Sequence, residues 1–223
     1  MSEQKSSSAS LMTWLLLGTL MTGVIAVILF FILDAVRGNA KSSQAAIVAE
    51  GSEDEYTGSA IDPPVQLEDF TLTDQNGQPF QFSSLRGRVV LMFFGFTRCP
   101  DFCPTTLADF TAIKRELGDA ADEVAFVFIS VDGERDTPEV IADYLIAFDS
   151  SFIGLTGTTE AVLQAGAPFG LTIERVNAAG SEEYTINHTV ALFIIDREGR
   201  WVRRIAYGTA PTVIAEQLRS VIQ

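Results

Sequence analysis

The chemistry of this chain is concentrated in three residues. Cys99 and Cys103 are its two cysteines and His188 its one histidine, in a sequence of 223 residues. The cysteines lie in Cys99-Pro100-Asp101-Phe102-Cys103-Pro104. A pair at this spacing can meet the Cα separation of a disulfide, about 4.4–6.8 Å. It can also serve as a redox dithiol, or offer two soft sulfurs to a metal. A structural bridge here would close a very small loop and restrain the unfolded chain little. Spacing alone does not choose among the three. Each cysteine precedes a proline, which biases it away from helical backbone and predicts a loop. Pro104 suits the first position of a helix, so Cys103 is expected as its N-cap, where the helix dipole and free N–H groups stabilise a thiolate. Arg98 adds positive charge beside Cys99. Two low-pKa thiolates this close repel one another, and a cation or a disulfide relieves the repulsion.

His188 stands just before an apolar run, Thr189 to Ile195. A lone histidine is more often a structural residue than a ligand. Its position at the entry to this strand strengthens the ligand reading, however, since a residue there can face the loop that carries the thiols. Two sulfurs and an imidazole make a soft three-donor set that suits Cu(I), accepts Cu(II) and also fits zinc, with affinity order favouring copper. Methionine offers no rival site, because Met1, Met12 and Met21 lie in or before an apolar N-terminal stretch and Met92 in a buried strand. Asp132, Glu134, Arg135 and Asp136 end another apolar run near the same edge. They read either as a solvated turn with a helix cap or as carboxylates that brace the site or meet a partner. Asp101 carries the same two readings.

The elements that must hold these residues are set by periodicity. Val65, Leu67, Phe70 and Leu72 begin an extended stretch that turns at Asn76-Gly77, with Phe80 and Phe82 pairing back as a hairpin. Val89 to Phe96 and Val124 to Val131 are unbroken apolar runs, as expected of strands covered on both faces. Between them, Leu107, Phe110, Ile113 and Leu117 predict a helix from Pro104 to about Gly118. Thr137 and Pro138 predict the capped start of another, with Val140, Ile141, Tyr144, Leu145 and Phe148 inward. A short helix over Thr159 to Ala167, a strand near Leu171 to Val176 and a polar excursion from Asn177 to Glu183 come next. Strands at Thr189 to Ile195 and Trp201 to Tyr207 and a helix from Pro211 to Ile222 close the chain. This is an α/β plan with a mixed sheet.

Leu11 to Leu33 runs for 23 residues without a charge. As a helix that covers about 34 Å, enough for a bilayer core of about 30 Å. The stretch is too long and its start too weakly basic for a cleaved signal peptide, although Gly38 and Ala40 resemble a cleavage site. The expected organisation is a tail (1–10), a transmembrane anchor (11–36), an acidic linker (37–60) and one folded domain (61–223). Lys5 and Arg37 cancel Glu3 and Asp34 before residue 41, so the net charge of −14 belongs to residues 41–223. So acidic a surface disfavours nucleic acid, whose phosphates need a basic partner. The flanking charges leave orientation tied. A short tail before a large acidic domain nevertheless reads as a signal anchor with the domain exported, where thiol–disulfide chemistry can occur.

Three segments, GFTRCPDFCP (95–104), SVDGERDTPE (130–139) and INHTVALFIIDREGRWV (186–202), together resemble the Sco/SenC family. The resemblance spans residues 61–222. It implies a thioredoxin-like mixed sheet flanked by helices, here with an N-terminal β-hairpin and a single transmembrane helix, on the oxidising side of a membrane. It implies copper held by Cys99, Cys103 and His188, and a chaperone rather than an enzyme. The implied task is building the dinuclear copper centre of cytochrome c oxidase, by delivering copper or by reducing the cysteines of that copper-bearing subunit. The implied partners are that subunit and a copper donor protein or thioredoxin-like reductant. The alternative is a thiol-disulfide oxidoreductase with Cys99 and Cys103 as its redox dithiol and no metal-delivery role. Gly133 departs from the proline that many members carry after the aspartate, which predicts a looser loop. Thioredoxins carry a cis-proline where His188-Thr189 stands here, which favours metal over general disulfide exchange. Peroxiredoxins share the fold but do not require this CxxxC plus His set.

Overall fold

Val89–Gly95 has no polar side chain to turn toward water, and the fold buries all seven residues at the centre of a sheet. The computed structural model describes residues 58–177 and 183–223. The anchor, the tail and nearly all of the acidic linker lie outside them. Among the described residues, no helix is long and apolar enough to cross a membrane.

In chain order the strands are β1 (Ser59–Gln66), β2 (Thr71–Asp74), β3 (Pro79–Gln81), β4 (Val89–Gly95), β5 (Val124–Ser130), β6 (Ile153–Thr156), β7 (Ile173–Asn177), β8 (Tyr184–His188), β9 (Ala191–Ile195) and β10 (Arg200–Ala206). The helices are α1 (Phe102–Leu117), α2 (Pro138–Ile146), α3 (Thr159–Gly166) and α4 (Pro211–Ile222). The main sheet runs β1-β10-β9-β4-β5-β6-β2-β3, and β7 and β8 form a separate antiparallel pair. β4, β5 and β6 are parallel, while β9 lies antiparallel to β4. The sheet is therefore mixed and helix-flanked, as expected.

The expected hairpin forms as β2 and β3, with Leu72 opposite Phe80. It is no separate unit, because β2 pairs with β6 and extends the main sheet. β1 departs to the opposite edge, beside β10, and already includes Ser59 and Ala60 of the expected linker.

Three local expectations are corrected. α1 begins at Phe102 with Asp101 as N-cap, so Cys103 is inside the first turn and not its cap. The first-turn N–H groups have no intrahelical partner, so Pro104 fits at the third position. There, Cys103 shares the buried face of Leu107, Phe110 and Ile113. Val140 is exposed, whereas Ile141 and Leu145 are the buried residues of α2. Lastly, the strand expected from Thr189 starts at Ala191, and His188 ends β8 instead.

Candidate functional site

β4 delivers its carboxyl end into the loop 96–101, and α1 leaves from that loop, so both thiols meet at one edge of the sheet. Both cysteines are free. Cys103 is wholly buried, and Cys99 is 8% exposed. The Cys99 N–H donates to the Phe96 carbonyl oxygen at 3.2 Å, which folds the loop back on itself. Gly95 makes room for the inner sulfur, since a Cβ there would stand 3.0 Å from Cys103 Sγ and closer still to the rings of Phe93 and Phe128.

This burial reverses the expected acidity of Cys103. Desolvation pushes its thiol well above the ordinary value, outweighing the lowering effect of a backbone hydrogen bond from Phe96. The hydrogen bond with Cys99 pushes it further in the same direction. The inner sulfur is a protonated thiol, because a buried anion is costly without a partner.

His188 packs against Phe96, the first residue of the cysteine loop. Its imidazole meets the Phe96 and Phe93 rings edge-on, with centroids 5.9 and 6.2 Å away. Burial lowers its pKa, so the ring is neutral, the form that ligates metals. Nδ1 lies 3.0 Å from the Thr189 carbonyl oxygen. That acceptor assigns the proton to Nδ1 and leaves the lone pair on Nε2. The fold thus brings Cys99 and Cys103 into hydrogen-bond contact and sets His188 against Phe96 of the same loop. Among the described residues, no three His, Cys, Asp or Glu side chains are gathered closely enough to hold a metal ion.

The acidic loop after β5 is not a solvated turn. Asp136 is wholly buried and Asp132 is 3% exposed. The Asp136 carboxylate accepts from Thr97 N–H at 2.9 Å, from the Thr97 hydroxyl at 2.6 Å and from the Ser130 hydroxyl at 2.6 Å. It thereby ties the start of the cysteine loop to the end of β5. Asp132 accepts from Arg135 Nε at 2.5 Å and from the Tyr184 hydroxyl at 2.7 Å. Burial and that bond to Asp132 push the Tyr184 phenol up, so it stays a donor. The cap half of the solvated-turn reading holds, since Thr137 Oγ1 accepts from Val140 N–H at 3.4 Å. Asp101 acts through its backbone, accepting from Thr105 N–H and hydroxyl at 3.3 and 3.0 Å.

Gly133 is a tight contact rather than a loose joint: a Cβ on it would lie 1.9 Å from the Gly157 carbonyl oxygen. Sequence reasoning missed Thr97, Ser130 and Tyr184. Thr97 and Ser130 had a signal, because polar residues at the ends of wholly apolar strands need buried partners. Tyr184 had none.

A mixed sheet with a cysteine pair between a central parallel strand and a helix is a thioredoxin-like fold. The SCO1/SenC family model matches residues 59–223, and the chain belongs to that family. An SCO2-like protein of Rickettsia felis is 37% identical over 152 residues, covering 68% of this chain and 74% of that protein. The structure of Bradyrhizobium japonicum ScoI with copper bound aligns at 36% identity and TM-score 0.65, over 70% of this chain and 99% of ScoI. The apo Sco1 protein of Thermus thermophilus aligns at 38% identity and TM-score 0.67, over 76% of this chain and 99% of Sco1.

Proposed function

We propose that this protein is a membrane-tethered copper chaperone that takes its cargo on Cys99, Cys103 and His188. It passes copper to the dinuclear copper centre of cytochrome c oxidase, or prepares that centre by reducing the subunit's cysteines. The observation that carries the reading is a pair of free thiols on one loop with a neutral imidazole packed against Phe96 of that loop, its Nε2 lone pair uncommitted. Family membership supports it, as does the copper bound by the similar ScoI.

Two thiolates and an imidazole suit Cu(I) and accept Cu(II). Cys103 must lose its proton to ligate, so loading expels protons and replaces a buried S–H with a metal-compensated sulfur. Closing the three-donor set draws His188 and the sulfurs together. Oxidation of Cys99 and Cys103 to a disulfide removes two electrons and two protons and takes both sulfurs from the metal. Copper loading and the disulfide therefore exclude one another. The residue 11–36 segment supplies the tether and places the domain on the exported side. The acidic charge steers a basic donor or acceptor.

The test is an anaerobic Cu(I) titration of the reduced full chain against a competing chelator, beside His188→Ala. One tight equivalent, much weakened in the variant, is the expected result. No tight copper, or binding indifferent to His188, overturns the three-donor site. The second reading, a thiol-disulfide oxidoreductase, draws on the unequal burial of the sulfurs. Cys99 keeps 8% exposure and Cys103 none, the order of access that an attacking and a resolving thiol would need. It predicts disulfide exchange that survives His188→Ala.

A further inference from the structure

We propose that Tyr184 is a positioning residue: it pins the strand that carries His188 to the loop that braces the cysteines. This rests on the copper reading for its purpose, but the pin is visible without it.

Three segments converge on this side chain. Its hydroxyl donates to Asp132 Oδ1 at 2.7 Å. Its ring lies between two guanidinium groups, with Arg135 Cζ 3.5 Å and Arg175 Cζ 3.4 Å from the centroid. Arg135 Nη1 donates to the Tyr184 carbonyl oxygen at 2.9 Å, so main chain and side chain are both held. Arg175, on the neighbouring β7, pairs with Glu134 of the loop at 3.0 Å. The aromatic face attracts both cations, while Asp132 and Glu134 offset their mutual repulsion.

The same loop reaches the thiols through an unbroken series of hydrogen bonds. Tyr184 donates to Asp132, whose N–H donates to Ser130 Oγ at 3.0 Å. The Ser130 hydroxyl donates to Asp136 at 2.6 Å, and Asp136 accepts from Thr97. The series begins four residues before His188 and ends two residues before Cys99. Beyond His188, Thr189 N–H donates to the Thr172 carbonyl oxygen at 3.3 Å, and Thr189 Oγ1 donates to that of Gly170 at 3.1 Å. His188 is therefore tied on both sides, and the hydrogen bonds on the Tyr184 side run on to the cysteine loop, against whose Phe96 the imidazole already packs. A donor held on two sides loses less freedom when a metal takes it up, and that favours binding.

The test is Tyr184→Phe in the full chain, which keeps the ring and its cation stacks and removes one hydroxyl. Because His188 is the chain's sole histidine, 15N-histidine labelling reports the two ring nitrogens of a single imidazole in the metal-free protein. The expected result is faster amide exchange in β8, by about tenfold or more, with β4 and β9 unchanged. The imidazole signal shifts or broadens, and Cu(I) affinity falls about tenfold. Exchange and imidazole signals like those of the wild type overturn the pin. A loosened β8 with undiminished Cu(I) affinity overturns the positioning role. If the wild-type chain takes no tight Cu(I), the copper reading fails, while exchange and the imidazole signal still decide the pin.

Discussion

Asp136→Asn tests how the cysteine loop is held. The native carboxylate is wholly buried and accepts three hydrogen bonds, two from Thr97 and one from Ser130. Bonds to a charged acceptor are worth about 1.5–3 kcal/mol each, against about 1 kcal/mol for neutral pairs. Asparagine keeps one oxygen, which serves Thr97 N–H and the Ser130 hydroxyl at the Oδ2 position. Its amide NH2 then faces the Thr97 hydroxyl, which has to turn and accept. Three bonds lose charge assistance, a loss of about 2–4 kcal/mol, partly offset because no anion is buried. A net destabilisation of about 2 kcal/mol is expected, or a fall in Tm of about 4–8 °C for a domain of this size. Asp136→Ala leaves all three donors without this acceptor and costs more, about 3–5 kcal/mol. Urea unfolding of the reduced, metal-free chain, monitored by circular dichroism, measures both. Asn within 0.5 kcal/mol of wild type, as an order-of-magnitude bound, or Ala no worse than Asn, refutes the bracing role.

The same geometry has other consequences. In the native reduced protein, iodoacetamide labels Cys99 and spares Cys103, because Cys103 is wholly buried and its thiol is held protonated; mass mapping that finds Cys103 modified first contradicts this. Gly133→Ala drives a methyl group into the Gly157 carbonyl oxygen and destabilises by about 1–3 kcal/mol, read as a lowered urea midpoint. For Asp149, burial acts to raise the pKa, but Lys114 at 2.6 Å and hydrogen bonds from Ser151 outweigh it and hold the carboxyl below its ordinary value. A depressed folded value means that its contribution is complete above the unfolded-chain value, about 4, and is lost as pH falls through the folded one. Asp149→Asn should flatten the stability profile over that acidic interval only; an unchanged slope counts against the pairing.

The features legible in the amino-acid order are local ones. Val89–Gly95 and Val124–Ser130 are apolar throughout, so only a doubly covered strand can accommodate them. Thr137 with Pro138, and Pro211 at the start of the last helix, mark helix starts through backbone constraints within one turn. Family membership was legible in the three segments that contain Cys99, Cys103 and His188. β6 was not legible, because Gly154 looks like a break in so short a segment; there it lets Ile141 and Leu145 of α2 lie directly on the strand. β8 alternates largely exposed residues around one buried Ile186 and gives no apolar run to read. It takes the packed chain to bury Cys103 inside a helix, to make His188 the end of a separate strand, and to join these parts through Asp132 and Asp136. Burial depends on everything packed around a side chain. The bonds from Thr97 to Asp136 and from Tyr184 to Asp132 cross 39 and 52 residues of sequence, so no local pattern encodes them.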